Sequence, residues 1–183
     1  MKMSHLLLVI GVALASNGPA FAQQPAPDAK DVYQRAMDGA EAAFDTARTR
    51  CDAVAGIPHD ICVAEARAAR VRIEEEAQAA YTNTLAAYTQ ARMRIAAAYY
   101  DRDKARCAAL AGNDREVCLQ QAKAYLVAAR ADARADRKTV EARLDARDEK
   151  IAAEYRVALQ KCDAFAGAVK DQCVGTARAA YGK

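Results

Sequence analysis

The sequence predicts an all-α protein, in which disulfide-clipped antiparallel helical hairpins form an elongated, coiled-coil-like bundle of long helices. Three observations carry that expectation. Cysteines recur as Cys51/Cys62, Cys107/Cys118 and Cys162/Cys173, and a glycine splits each pair (CDAVAGIPHDIC, CAALAGNDREVC, CDAFAGAVKDQC). About a quarter of the chain is alanine, with Arg, Lys, Glu and Gln prominent among the remainder, all strong helix formers. From Asp28 onward the only proline is Pro58, so little interrupts a helix.

The first element concerns targeting rather than fold. Lys2 supplies a positive start, Leu6 to Leu14 a short apolar core, and Ala20-Phe21-Ala22 a small-x-small cleavage site. Residues 1–22 therefore read as a signal peptide cut after Ala22, which places the mature chain in the periplasm or outside the cell. The apolar run is too short for a stable anchor, no cysteine follows it to accept a lipid, and no later segment is apolar enough to span a membrane. In an oxidising compartment, six cysteines at regular spacing imply disulfides. Residues 23–27 (QQPAP) form an extended leader.

The helical repeat domain covers residues 28–183. Asp28 is a helix N-cap with Asp31 three residues later. Gly56, Gly112 and Gly167 are expected at the left-handed position that ends a helix. Start signals follow them. Asn113 would cap with Glu116 at the third helical position, and Pro58 fits the first helical position with Asp60 in the place of Glu116. Asp171 holds that place in the third unit, where Ala168 is a poor cap. Each unit thus reads as helix, tight turn, helix, with one cysteine per arm about one and a half turns from the bend. Closing such a loop stabilises by about 3 kcal/mol in the chain-entropy model, which matters where alanine offers little apolar area to bury.

A rival reading exists. In an unbroken helix the two cysteines of a pair would share a face about 16 Å apart, too far for an internal bond, and would join neighbouring chains. The Gly-Ile-Pro and Gly-Asn-Asp turns weigh against this for the first two pairs. The weaker third turn leaves it open there.

The period extends beyond the cysteines. Asp28, Thr84 and Thr139 occupy equivalent places, as do Phe44, Tyr100 and Tyr155, and Arg50, Arg106 and Lys161. Three repeats result (about 28–83, 84–138 and 139–183), the last one short. Ile73, Ala77, Ala80, Tyr88, Ala91, Ile95 and Tyr99 mark one apolar stripe, and Val140, Leu144, Ile151, Tyr155 and Cys162 another, with coiled-coil spacing. Neither Thr82-Asn83-Thr84 nor Lys138-Thr139 contains glycine or proline. We therefore expect residues 58–111 and 113–166 to be unbroken antiparallel helices of roughly 80 Å, rather than shorter hairpins in series.

Catalytic vocabulary is sparse. No serine follows residue 22, and the mature chain has one histidine, His59, whose counterparts Arg115 and Lys170 suggest a solvated cation. One histidine with oxidised cysteines makes no zinc or copper set, and C-x-x-C spacing is missing, so neither metal nor cofactor is expected. Glu74-Glu75-Glu76 cannot converge, because successive helix residues diverge by about 100°. Arg130, Arg134 and Arg137 alternate with Asp132 and Asp136, which suggests intrahelical ion pairs. With a net charge of +3, this argues against nucleic acid as a partner. Tyr81, Tyr88, Tyr99, Tyr100, Tyr125 and Tyr155 read as core filler. The expectation is a non-enzymatic protein with a structural or cell-envelope interaction role. The alternative is a holdase that cradles unfolded clients along a seam bearing Met93, Tyr99 and Tyr100. Partner candidates are an envelope protein, such clients, or a second copy of the chain.

The CDAxAG…D…C repeat within Ala/Lys/Arg-rich helix, behind a signal peptide, resembles a loose group of uncharacterised exported helical proteins of Gram-negative bacteria. Some of these carry a TolA-like label that reflects composition. The resemblance covers most of the mature chain and implies no catalytic or binding residues. Paired cysteines on a hairpin are also similar to mitochondrial coiled-coil-helix domains, but those use two bridges at another spacing, so shared physics explains the likeness.

Overall fold

The computed structural model describes residues 28–183; the signal peptide and leader readings lie outside the described residues. Five helices follow one another: α1 (Ala29–Cys51), α2 (Ile57–Thr82), α3 (Leu85–Cys107), α4 (Gly112–Cys162) and α5 (Gly167–Tyr181). Asp28 caps α1, its carboxylate accepting from the Lys30 N–H at 3.2 Å. Pro58 sits in the first turn of α2, where its missing N–H goes unneeded. Cys51–Cys62 joins α1 to α2, Cys107–Cys118 joins α3 to α4, and Cys162–Cys173 joins α4 to α5. Their Cα atoms are 5.6, 5.7 and 5.6 Å apart. One hairpin geometry is used three times. The interchain alternative for the third pair is thereby excluded in this chain.

Among the described residues each helix packs only on its sequence neighbours: α1 on α2, α2 on α3, and both α3 and α5 on α4. α2 turns one face to α1, where Tyr33 stacks on Tyr81 at 4.9 Å and donates to Gln78 Oε1 at 3.0 Å. Its opposite face meets α3, where Arg106 and Arg94 donate to Glu65 and Glu75 at 2.6 and 3.1 Å. α4 has 51 residues, about 75 Å at 1.5 Å per residue. α3 lies along its first half, tied by Arg92 to Asp136 at 2.6 Å, and α5 along its last turns, where Tyr155 meets Tyr181 at 5.9 Å. The helices form an open layer.

The core is small in every sense. Among the described residues the buried apolar side chains are alanines and the three leading cysteines, with Thr89 the one buried polar group. Thr89 returns its hydroxyl to Leu85 O at 2.8 Å. Alanine faces let helix axes approach closely, which leaves no room between backbones for larger groups. The tyrosines expected in the core therefore lie on the rims: Tyr81 and Tyr88 are nearly half exposed and Tyr125 is 72% exposed.

Other expectations need correction. Residues 58–111 are not one helix. Asn83 takes the left-handed conformation (φ 49°, ψ 44°) and Thr84 caps α3 by accepting from Ala87 N–H at 3.2 Å. Asparagine tolerates that conformation far better than most residues, so a turn forms without glycine or proline. The equivalent junction, Lys138-Thr139, stays helical. Lys138 has no such tolerance, Arg137 and Glu141 bridge the junction at 2.7 Å, and Thr139 bonds back to Ala135 O at 3.0 Å.

The glycines also act differently from expectation. α1, α3 and α4 end at the first cysteine of each pair, and Gly56, Gly112 and Gly167 lie at the start of the following helix with φ of +67°, +58° and +56°. Asn113 lies inside α4, whose N-cap is Ala111, so the expected capping box does not form. Once the glycine itself starts the helix, the cap position moves upstream of Asn113.

That shift corrects the placing of the cysteines as well. They were expected at equal distances from the bend, one and a half turns along each arm. Instead Cys51, Cys107 and Cys162 are the last residues of their helices and are fully buried. Cys62, Cys118 and Cys173 alone stand roughly one and a half turns into an arm, on α2, α4 and α5, and they are only half-buried. The bend lies wholly between the first cysteine and the glycine, so the two sulfurs of a clip meet unequal surroundings.

Candidate functional site

The clipped turns carry a chemistry beyond their disulfides. In the first repeat His59, three residues before Cys62, has Nε2 3.7 Å from Asp52 and Nδ1 3.3 Å from Asp60. In the third, Lys170, three before Cys173, reaches Asp163 with Nζ at 2.8 Å, and that hydrogen bond raises the ammonium above its ordinary pKa. Asp52 and Asp163 each follow the first cysteine of their pair, so the turn is clasped twice by the same positions. In the second repeat alanine (Ala108) replaces the aspartate and no clasp forms with Arg115, three before Cys118. The signal was legible: CDA in the first and third repeats against CAA in the second, opposite a basic side chain in each.

The second hairpin has a different feature. Between α3 and α4 lies an open cleft of ≈ 430 Å³, lined among others by Tyr99, Tyr100, Arg102, Asp103, Tyr125 and Leu126. Arg102 donates to Asp103 Oδ1 at 2.8 Å and stands 4.5 Å from the centre of the Tyr99 ring. The Asp103 bond raises the guanidinium above its usual pKa, ahead of the opposing effect of burial. Arg106 extends this network to Glu65 on α2. In the first repeat, Ala43, Thr46, Ala47 and Ala69 stand where Tyr99, Arg102, Asp103 and Tyr125 stand here. The cleft offers phenol, guanidinium and carboxylate groups along its two helices, which suits binding an extended segment.

A second groove, ≈ 510 Å³, runs between α4 and α5 beside the third clip and is more apolar. Ala158, Phe165, Val169, Ala177 and Tyr181 line it, with Phe165 and Val169 about half exposed.

The charged clusters singled out in the sequence disperse. Glu74 accepts from Arg70, Glu75 from Arg94 and Glu76 from Arg72, three directions for three neighbours; the Glu74 bond raises the Arg70 pKa. Of the arginine series, Arg137 pairs with Glu141 within α4, whereas Asp136 is taken across the hairpin by Arg92. The expected pairing of Asp132 and Asp136 with these arginines is therefore not what forms. Among the described residues no group of three or more His, Cys, Asp or Glu is placed to hold a metal, and no helix is long and apolar enough to cross a membrane. Three formed disulfides are consistent with an oxidising, secreted or periplasmic setting. Compared with known proteins, the chain matches no family model, no curated protein and no solved structure.

Proposed function

We propose that the protein is a non-enzymatic periplasmic or secreted scaffold, exported by a cleaved signal, that holds an interaction surface toward a partner in the cell envelope. One observation carries this reading. Among the described residues, the chain buries alanine and cystine and leaves its tyrosines, phenylalanines and branched aliphatics at least partly in solvent. A protein that needed those side chains for stability would bury them. Here covalent clips supply what the thin core lacks, and the larger side chains are free to contact something else. The test is crosslinking in cells followed by partner identification. Specific envelope proteins recovered through residues on α3 and α4 support the reading. Turnover of a substrate by the purified mature chain, without added metal or cofactor, would overturn it.

The second reading is a holdase for unfolded chains, favoured by the cleft beneath Tyr99, Tyr100 and Tyr125 and the apolar groove at Phe165 and Val169. Suppression of client aggregation at stoichiometric amounts supports it, and no effect in large excess eliminates it.

A further inference from the structure

Inner helices of the layer are used on two opposite faces, and α4 is the exception. α2 carries α1 on one side and α3 on the other, and α3 carries α2 and α4. α4 receives α3 and α5 on a single face: Ala122, Ala133 and Cys162 are its buried residues and share that side. Its opposite face has no neighbour among the described residues. The repeat explains what that face is built to meet. The contact between α2 and α3 is centred on Ala68, Val71 and Ala79 of α2 and on Ala91 and Ala98 of α3, with Ala68, Ala79 and Ala91 at 2%, 2% and 5% exposure. In register with the cysteines, the first half of α4 corresponds to α2 and its second half to α3. The counterparts are Ala124, Val127 and Ala135, then Ala146 and Ala153. All five residue types are retained, and all five side chains are exposed.

The contact that α2 and α3 close by turning at Asn83 cannot close within α4, because Lys138-Thr139 keeps it straight. We propose that α4 pairs antiparallel with α4 of a second copy of this chain, so that the first half of each covers the second half of the other. This is a two-fold, self-complementary contact that repeats the α2–α3 packing twice.

Two independent features locate the same axis. The ion pairs Arg94–Glu75 and Arg106–Glu65 set the α2–α3 register. Carried onto α4, they place Ala131 opposite Glu149 and Gln121 opposite Lys161, so the register, though not the ion pairs themselves, puts the axis at residues 140–141. The charges give it separately. One flank of the free face carries Arg134 and, eleven residues on, Asp145, both exposed. Their midpoint falls between residues 139 and 140. Antiparallel pairing then sets Arg134 against the partner's Asp145. The other flank carries Asp132 and then Lys150, whose midpoint is residue 141. The two axes agree within about 3 Å along the helix. Arg134, Asp132, Asp145 and Lys150 take part in no ion pair among the described residues.

The free edge of α1 makes an instructive contrast. Its counterparts of Ala91 and Ala98 are Arg35 and Ala42, with Asp38 between them, so charge interrupts the alanine row there. Direction follows from the same charges, because a flank that changes sign at its midpoint complements itself only when the two helices run opposite ways. The overlap runs for most of the helix, about 60 Å. One helix face of that length falls in the range of a modest specific interface, on the order of 1,000 Å².

The pairing stands in the purified mature protein with no envelope partner present, so its test is separate from that of the proposed function. Sedimentation of the mature chain, with its disulfides intact, should show a monomer–dimer equilibrium that weakens with added salt. Arg134→Glu and Asp145→Arg should each weaken dimerisation by roughly tenfold, since each alters two symmetry-related contacts. The double variant in one chain should restore it. Circular dichroism would confirm that every variant keeps its helix content. A chain that stays monomeric at millimolar concentration overturns the proposal. So does a dimer indifferent to Arg134→Glu, or a double variant no better than either single one.

Discussion

Replacing Cys162 and Cys173 by alanine should release α5 from α4 while the other helices stay docked. α5 has 15 residues, a length at which an isolated helix is marginal in water. Its N-cap Ala166 makes no side-chain bond, Ala177 is its one buried residue, and it touches α4 alone. The clip closes a loop of sequence separation 11, which the chain-entropy model values at about 3 kcal/mol. Without it the opening equilibrium of α5 shifts by a factor of about 100. Hydrogen exchange read by mass spectrometry should show amides of residues 167–181 exchanging faster by that factor, with α1, α2 and α3 unchanged. The mechanism makes a sharp distinction. If α5 keeps its protection, packing alone holds it and the thin-core argument is wrong. If all five helices lose protection together, the molecule unfolds as one unit and the layer is not the modular array described above.

Smaller perturbations probe the turns and the core. Gly112→Ala places a methyl where nothing lies within 4 Å but φ is +58°, so the cost is backbone strain alone, about 1–2 kcal/mol, read as a fall in melting temperature. Thr84→Ala removes the α3 cap and should cost about 1 kcal/mol in urea denaturation. Ala68→Leu, at 2% exposure between α2 and α3, should cost about 1–3 kcal/mol by overpacking. Tyr125→Ala, at 72% exposure, should leave the urea midpoint nearly unchanged while reducing partner capture in crosslinking.

Much of the architecture was legible because it rests on local chemistry repeated three times. A cysteine pair split by glycine is readable wherever a helix must reverse within a few residues, and the pairings Cys51–Cys62, Cys107–Cys118 and Cys162–Cys173 have one geometry. Where the bend falls inside each pair was less legible, since glycine at positive φ can end one helix or open the next. The two long-range questions were harder. Thr82-Asn83-Thr84 and Lys138-Thr139 look alike if only glycine and proline count as breakers. What separates them is a single left-handed asparagine against a lysine already inside a run of ion pairs. The tyrosines were misplaced for a related reason. A three-and-four rhythm shows which face a residue occupies but not how close the opposing backbone comes, and alanine brings it close enough to exclude them.

From the residues alone came the helical class, the compartment-dependent clips and the period, since these follow from propensity, thiol chemistry and repetition. The tertiary structure decided which helix remains whole and which faces of it meet a neighbour. That choice depends on side chains far apart in the chain competing for the same small surface, and local pattern carries no record of the outcome. α4 shows both sides of this. Its alanines are visible in the sequence, but only the fold reveals that α3 and α5 leave one row of them uncovered.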